Sequence, residues 1–196
     1  MTTANPTLAR ALWPVNEEAG AALSVLRTLV FVGLGVVLLS LAARAQVPFW
    51  PVPMTLQTLA VFAIALAYGS RLGAATLAAY LIAGALGVPV FARGGGLAYF
   101  LGPTAGYLYG FLLAALVVGW LAERGWDRKT LLALVALVIG NLIVYALGAG
   151  WLAVNIGIDK AWAGGVAPFL LGDAVKIGIL AALLPMAWRA LAAIRR

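Results

Sequence analysis

The sequence predicts an all-α integral membrane protein, a single compact bundle of about six transmembrane helices. Hydrophobic residues make up 65% of the chain and charged residues only 10%, against about 45–50% and about 25% in soluble domains. The apolar runs are continuous and reach the roughly 17–25 residues needed to cross a bilayer. A water-filled β-barrel would instead alternate polar and apolar residues. Mean hydropathy is +1.07, and six spans joined by short loops account for the 196 residues, with no room for a soluble domain.

Residues 1–20 are polar and contain Pro6, Pro14, Glu17 and Glu18. They lack the apolar core of a signal peptide and read as a cytoplasmic or interfacial tail. Residues 21–196 form the transmembrane domain. Its spans are expected at about 22–43, 54–68, 72–86, 98–121, 131–154 and 166–188. The second and third are short and close together around Gly69-Ser70-Arg71, which predicts a tight helical hairpin.

Orientation follows from the basic residues. One side carries Arg10, Arg27, Arg71, Arg124, Arg128, Lys129, Arg189, Arg195 and Arg196, the other only Arg44, Arg93 and Lys160. Lys176 falls within the last span. The positive-inside rule puts both termini in the cytoplasm of a multi-pass inner (cytoplasmic) membrane protein. The net charge of +7 is thus a topology signal, and nucleic acid is not an expected partner. Trp50, Trp120, Trp151, Trp162 and Trp188 fall near span ends, where an aromatic interfacial belt belongs.

Absent residues exclude much chemistry. There is no Cys and no His, so disulfides, thiolate nucleophiles, Ser-His-Asp sites and the commonest zinc ligand are all missing. The acidic residues are Glu17, Glu18, Glu123, Asp127, Asp159 and Asp173. The first five sit in expected tails or loops, which leaves no carboxylate cluster for a metal inside the membrane. No stretch matches G-x-x-x-x-G-K-[ST], so the chain is not expected to hydrolyse ATP by itself. No catalytic set, cofactor or metal is expected.

The loops on the side away from the termini hold the unusual residues. The first runs Ala45-Gln46-Val47-Pro48-Phe49-Trp50-Pro51-Val52-Pro53-Met54-Thr55-Leu56-Gln57-Thr58. Its prolines withhold N–H groups and forbid continuous helix. Thr55, Gln57 and Thr58 then place hydroxyl and amide groups at the start of the second span, either as helix caps or as ligand contacts. The second segment, 89–107, contains Arg93 and Gly94-Gly95-Gly96. Three glycines let a backbone approach a ligand closely, and a guanidinium can grip a carboxylate through two hydrogen bonds. A flexible loop with a solvated Arg fits the same residues. Gly102, Gly106, Gly110 and Ala114 form a small-residue stripe suited to close helix packing.

The third segment, 167–176, gives the sharpest signal. A charge at mid-membrane costs at least ~2.5–3.5 kcal/mol on insertion scales and usually serves function. Pro168 suits a first turn, which sets Asp173 roughly 7–8 Å below the outer end. Asp173 and Lys176, three apart, share a helix face. They form either a private ion pair or a polar ligand contact. On the opposite side, Glu123, Arg124, Asp127, Arg128 and Lys129 read as a solvated connector.

Taken together, several pieces resemble the BioY family of biotin transporters, the substrate-binding S components of energy-coupling factor transporters. They are Val52-Pro53-Met54-Thr55-Leu56-Gln57-Thr58, Gly87-Val88-Pro89-Val90-Phe91-Ala92, Gly94-Gly95-Gly96 leading into Leu101-Gly102-Pro103-Thr104-Ala105-Gly106-Tyr107-Leu108, and Gly172-Asp173-Ala174-Val175-Lys176. Their order and spacing within a six-span chain, over residues 26–176, make the match specific. The resemblance implies a six-helix S-component fold and capture of biotin at the outer face. It implies that Asp173 and Lys176 serve as the family's acidic and basic residues of the last helix. Phe91, Tyr99 and the glycines Gly95 and Gly96 would wall the pocket, beside Thr55 and Gln57.

Biotin has an apolar thioether ring, a ureido group with two N–H donors and a C=O, and a carboxylate tail. Asp173 is expected to accept a ureido N–H. Lys176 is expected to donate to the ureido oxygen or to hold Asp173 in place, and Arg93 to meet the carboxylate near the surface, with the roles of Lys176 and Arg93 exchangeable. The implied partners are a coupling transmembrane protein and two ATPase subunits in the bilayer. The family also includes members with little coupling machinery, which allows a homo-oligomer. The first span departs from the usual Ala-x-x-x-Ala docking patch and offers only Gly33 and Gly35. The alternatives are an S component for another vitamin and a lipid-modifying membrane enzyme.

Overall fold

The structure, a computed structural model, describes residues 5–14 and 20–194. Glu17, Glu18, Arg195 and Arg196, which entered the tail and charge arguments, lie outside the described residues. The tail is not wholly solvated: α1 (Leu8–Leu12) buries Leu8, Ala9 and Ala11. The Thr7 hydroxyl caps it by accepting from the Arg10 N–H at 3.5 Å.

α2 (Gly20–Arg44) is apolar from Leu29 to Ala43 apart from Ser40. Only Gly35, Leu39, Ala42 and Ala43 are buried within the protein, so most of its surface is left for lipid. A two-stranded antiparallel ribbon follows, β1 (Gln46–Val47) paired with β2 (Met54–Thr55), with Gln46 opposite Thr55. The prolines between them close the ribbon. The second span therefore starts at Gln57, three residues later than expected, because Met54 and Thr55 are committed to the ribbon.

α3 (Gln57–Ala85) is the expected hairpin. Gly69 has φ +81° and ψ −177°, a left-handed conformation that only glycine adopts readily. A straight helix would hold Gln57 and Tyr80 roughly 34 Å apart, yet the Gln57 Nε2 donates to the Tyr80 hydroxyl at 2.9 Å. The arms touch so closely that a Cβ on Gly73 would lie 3.5 Å from the Ala65 Cα.

α4 (Ala105–Ala122) is the central helix, flanked by the α3 hairpin and by α5 (Thr130–Ile156). It begins seven residues later than expected. Residues 97–100 form a 3-10 turn instead, and Pro103 prevents the helix from extending back through it. The small-residue stripe packs on α5 as expected: a Cβ on Gly106 would meet the Leu147 carbonyl oxygen at 2.3 Å, and one on Gly110 the Val144 Cα at 3.0 Å. Gly102 lies ahead of the helix and meets α5 through its carbonyl, which accepts from the Trp151 indole N–H at 3.0 Å. A short α6 (Ile158–Gly165), not anticipated from the sequence, leads through a 3-10 turn at Ala167–Phe169 into α7 (Leu170–Ile194).

Among the described residues, five stretches are long and apolar enough to cross a membrane: α2, α3, α4, α5 and the stretch Ile158–Ala193. One of them doubles back at Gly69, so the chain makes six passes. Both ends consequently reach the same face. There the Asn5 N–H donates to the Glu123 carbonyl at 2.8 Å, Arg128 Nη2 to the Pro6 carbonyl at 3.2 Å, and the Trp188 indole N–H to Asp127 Oδ2.

The loop expected to be a solvated connector is a clamp. Glu123 Oε1 accepts from the Ser70 N–H and hydroxyl, each at 2.9 Å, and so holds the hairpin turn. Arg128 stacks over Trp188 at 4.5 Å. Asp127 is only 1% exposed. The loop's carboxylates are turned onto helix ends, while Arg124, Arg128 and Lys129 remain exposed.

A candidate ligand cavity at the face opposite the termini

The β-ribbon, the 86–104 loop and the start of α7 meet at the face away from the chain ends. Beneath them lies a cavity of about 580 Å³, its mouth included. One wall is aromatic and apolar, with Phe91, Tyr99, Tyr107, Phe111, Val144 and Phe169. The opposite end is polar, with Thr55, Gln57, Thr58, Tyr145, Asp173 and Lys176. A mostly apolar pocket with a few convergent polar groups has the make-up of a small-molecule site.

The polar end is a closed circuit. Lys176 Nζ spends its three protons on Asp173 Oδ1 at 2.8 Å, the Thr58 hydroxyl at 2.9 Å and the Thr55 carbonyl at 2.9 Å. Thr58 accepts from Lys176 and donates onward to Asp173 Oδ1 at 3.1 Å. Asp173 Oδ2 accepts from the Tyr145 hydroxyl at 2.6 Å. The side chains of Lys176 and Asp173 are 12% and 5% exposed. Local sequence explains the placement: Asp173 falls in the first turn of α7, where a carboxylate is favoured by the helix dipole, and Lys176 follows one turn later. A carboxylate has about four lone-pair sites. Three are occupied, and the fourth, on Oδ2, is free to take a donor.

The polar groups of α3 are fixed by their neighbours. The Thr55 hydroxyl accepts the Gln57 N–H at 3.1 Å, and the Tyr80 hydroxyl that receives Gln57 donates to the Val90 carbonyl at 3.0 Å. Phe91 is fully buried. It sits edge-on to Tyr80 at 5.3 Å and tilted against Tyr99 at 4.7 Å. Its ring occupies a notch left by Gly84, where a Cβ would lie 2.0 Å from Cζ.

Six of the nine residues predicted from sequence, Asp173, Lys176, Thr55, Gln57, Phe91 and Tyr99, line this cavity. Arg93 and Gly95 do not. They border a shallower recess at the mouth, about 760 Å³, which shares Pro53, Tyr99 and Thr104 with the cavity. Arg93 is exposed and bridges two loops, its Nη2 donating to the Phe49 carbonyl at 2.8 Å. Gly96 borders neither space. It has φ +106°, and its N–H ties the loop to the hairpin through the Gly84 carbonyl at 2.7 Å, so its role is in the backbone.

Sequence reasoning missed Tyr145 and Tyr107. Tyr145 touches the carboxylate directly. Tyr107 lines the cavity and anchors α6 by donating to the Gly165 carbonyl at 2.7 Å. One clue to Tyr145 was readable: Asn141 and Tyr145 stand four apart in an otherwise apolar span, which puts two polar groups on one inward face.

The sequence profile of the BioY family matches residues 13–193. The biotin transporter BioY of Thermotoga maritima is 39% identical over 163 residues, covering 82% of this chain and 95% of that protein. The biotin transporter BioY of Rhizobium etli is 38% identical over 159 residues, 76% of this chain and 84% of that one. That of Rhodobacter capsulatus is 41% identical over 141 residues, covering 64% and 73%. Among solved structures, the S-component for biotin from an ECF-type ABC transporter superposes with a TM-score of 0.75. It is 22% identical, and the superposition covers 87% of this chain and 95% of that one. At that identity the likeness establishes an S-component fold.

Proposed function

Because the chain belongs to the BioY family, we propose that it is the biotin-binding membrane subunit of a vitamin uptake transporter, and not an enzyme. The observation that carries this reading to particular residues is the Asp173–Lys176–Thr58–Tyr145 cluster lining an aromatic-walled cavity. The fused ring of biotin is apolar on both faces and suits Phe91, Phe111 and Phe169. Its ureido edge is polar and suits the cluster.

The hydrogen-bond inventory supports a division of roles that the sequence left open. Asp173 keeps one acceptor site, so it receives a ureido N–H. Lys176 has no proton to spare, so it acts as a positioning residue that holds Asp173, Thr55 and Thr58 in place. Arg93 at the mouth is then the partner of the carboxylate, which emerges past Tyr99. Thr55 and Gln57 stiffen the polar end, and Gly95 lets the loop pack on the Val88 carbonyl, which a Cβ would meet at 2.3 Å.

The face carrying the chain ends is rich in Arg, which favours the cytoplasmic side of the inner membrane for it. Biotin then enters from outside. With no nucleotide motif in the chain, uptake draws on a coupling transmembrane protein and two ATPase subunits.

The test is calorimetry of biotin on the purified protein in detergent, with thiamine and riboflavin as competitors and an Asp173→Asn variant. Saturable binding of biotin alone, weakened at least tenfold in the variant, is the expected result; a lost hydrogen bond to a charged group costs about 1.5–3 kcal/mol. Undiminished biotin binding by Asp173→Asn removes the assigned role of that carboxylate. Binding of another vitamin in place of biotin overturns the substrate.

A further inference from the structure

A second cleft opens on the face of the chain ends, far from the ligand cavity and independent of the biotin reading. It measures about 1130 Å³ with its mouth, and its lining includes Arg10, Arg27, Arg71, Tyr68, Thr28 and Glu123. Three guanidiniums therefore converge from α1, α2 and the second arm of α3. Their own partners do not account for them. Arg27 Nη1 donates to the Trp13 carbonyl at 3.1 Å, while its Nε is buried without a hydrogen-bond partner. Arg10 and Arg71 are exposed, and neither side chain has a hydrogen bond or ion pair among the described residues. Among the described residues the one carboxylate in the lining, Glu123, is turned toward Ser70 through Oε1. Three cations against one engaged anion, among the described residues, leave a surplus of positive charge where headgroups meet the protein.

We propose that this cleft binds the phosphate of an anionic phospholipid from the leaflet on the side of the chain ends. Guanidinium forks match phosphate oxygens in pairs, and Tyr68 lines the same space. The remaining lining explains why the source is a lipid rather than a soluble phosphate. Leu72 and Ala75 give the cleft an apolar side. Beside it α2 presents exposed Leu26, Leu29 and Val30 to the hydrocarbon, a surface along which acyl chains can lie. The headgroup would then clamp α1 and α2 to the turn of the hairpin.

The experiment is titration of the delipidated full chain with phosphatidylglycerol or phosphatidylcholine in detergent, read by native mass spectrometry. Inorganic phosphate and glycerol 3-phosphate serve as competitors. The parent should prefer phosphatidylglycerol by about tenfold or more. The double variant Arg10→Gln/Arg71→Gln should lose about thirtyfold of that affinity, as expected for two juxtamembrane cations at about 1 kcal/mol each. Its affinity for phosphatidylcholine, whose ammonium offsets the charge of its phosphate, should fall less. Arg10→Lys/Arg71→Lys, which keeps the charge without the fork, should recover part of the loss and so separates lipid recognition from a folding defect. Equal binding of the two lipids, or full retention of phosphatidylglycerol by the Gln variant, overturns the proposal. Displacement of the lipid by equimolar inorganic phosphate also overturns it, in favour of a soluble anion.

Discussion

Replacing Lys176 by Met removes the one cation within salt-bridge reach of Asp173 among the described residues. The side chain keeps an unbranched apolar stem one atom shorter and loses three hydrogen bonds. Asp173 is left as a carboxylate 5% exposed, held only by the hydroxyls of Thr58 and Tyr145. Stranding one partner of a buried pair typically costs about 3–5 kcal/mol. Asp173→Asn strands less: the ammonium keeps the Thr55 carbonyl and the Thr58 hydroxyl, and the loss is about 1.5–3 kcal/mol, that of a charged hydrogen bond. The double variant removes both charges, so it should be more stable than Lys176→Met alone. The assay is a denaturing-detergent titration in mixed micelles followed by tryptophan fluorescence. Biotin calorimetry runs in parallel, and all three variants should bind poorly. Two results refute the reasoning: a Lys176→Met protein within about 0.5 kcal/mol of the parent, or a double variant that loses the sum of the two single losses.

Two further outcomes follow from the same geometry. Tyr145→Phe deletes the shortest hydrogen bond to Asp173, so biotin affinity should fall roughly tenfold while the fold survives; calorimetry beside a thermal melt separates the two effects. Asp127, in the loop outside the spans, has its carboxyl raised by burial, against lowering by the Trp188 indole and the Arg128 charge. A carboxyl raised in the folded state favours folding below its unfolded value of about 4. That advantage is lost as pH rises through the folded value. Asp127→Asn should therefore flatten this part of the acid-to-neutral stability profile, measured as unfolding midpoints across a pH series. An unchanged slope would falsify it.

Long-range periodicity was not needed to read most of this fold. Continuous apolar runs, and a glycine followed by Ser70 and Arg71, were enough to place the passes and the hairpin turn. Asp173 and Lys176 stood out because charge is rare inside a span. Local signals failed where a residue's role depends on a distant partner. Asp127 looks like any loop carboxylate until Trp188, sixty-one residues away, is brought onto it. Gly96 belongs to a glycine run that suggests close approach to a ligand, but its N–H is taken by Gly84. Tyr145 was overlooked because an aromatic residue in a membrane span is usually read as packing, and only the fold brings its hydroxyl to a carboxylate. The shift in the start of α4 came from treating hydropathy as helix; residues 98–104 are apolar enough but carry Gly102 and Pro103.

The arms of α3 have a consequence for the surrounding bilayer. At 1.5 Å per residue the arm over residues 57–68 reaches about 18 Å and that over 70–85 about 24 Å, whereas a hydrocarbon core is about 30 Å thick. α2, with its 25 residues, reaches about 38 Å. The molecule is thus mismatched to its membrane in opposite senses on two flanks, too short at the hairpin and too long at α2. Lipid adjusts to a short element by thinning and to a long one by thickening or tilting it, at fractions of a kcal/mol per Å. Tilt shortens the projection of α2 and relieves the long flank alone, while the short flank calls for a thinner bilayer, so the resting tilt is a compromise set in part by bilayer thickness. Transport rates in vesicles of graded acyl-chain length would then vary even where the affinity for ligand does not.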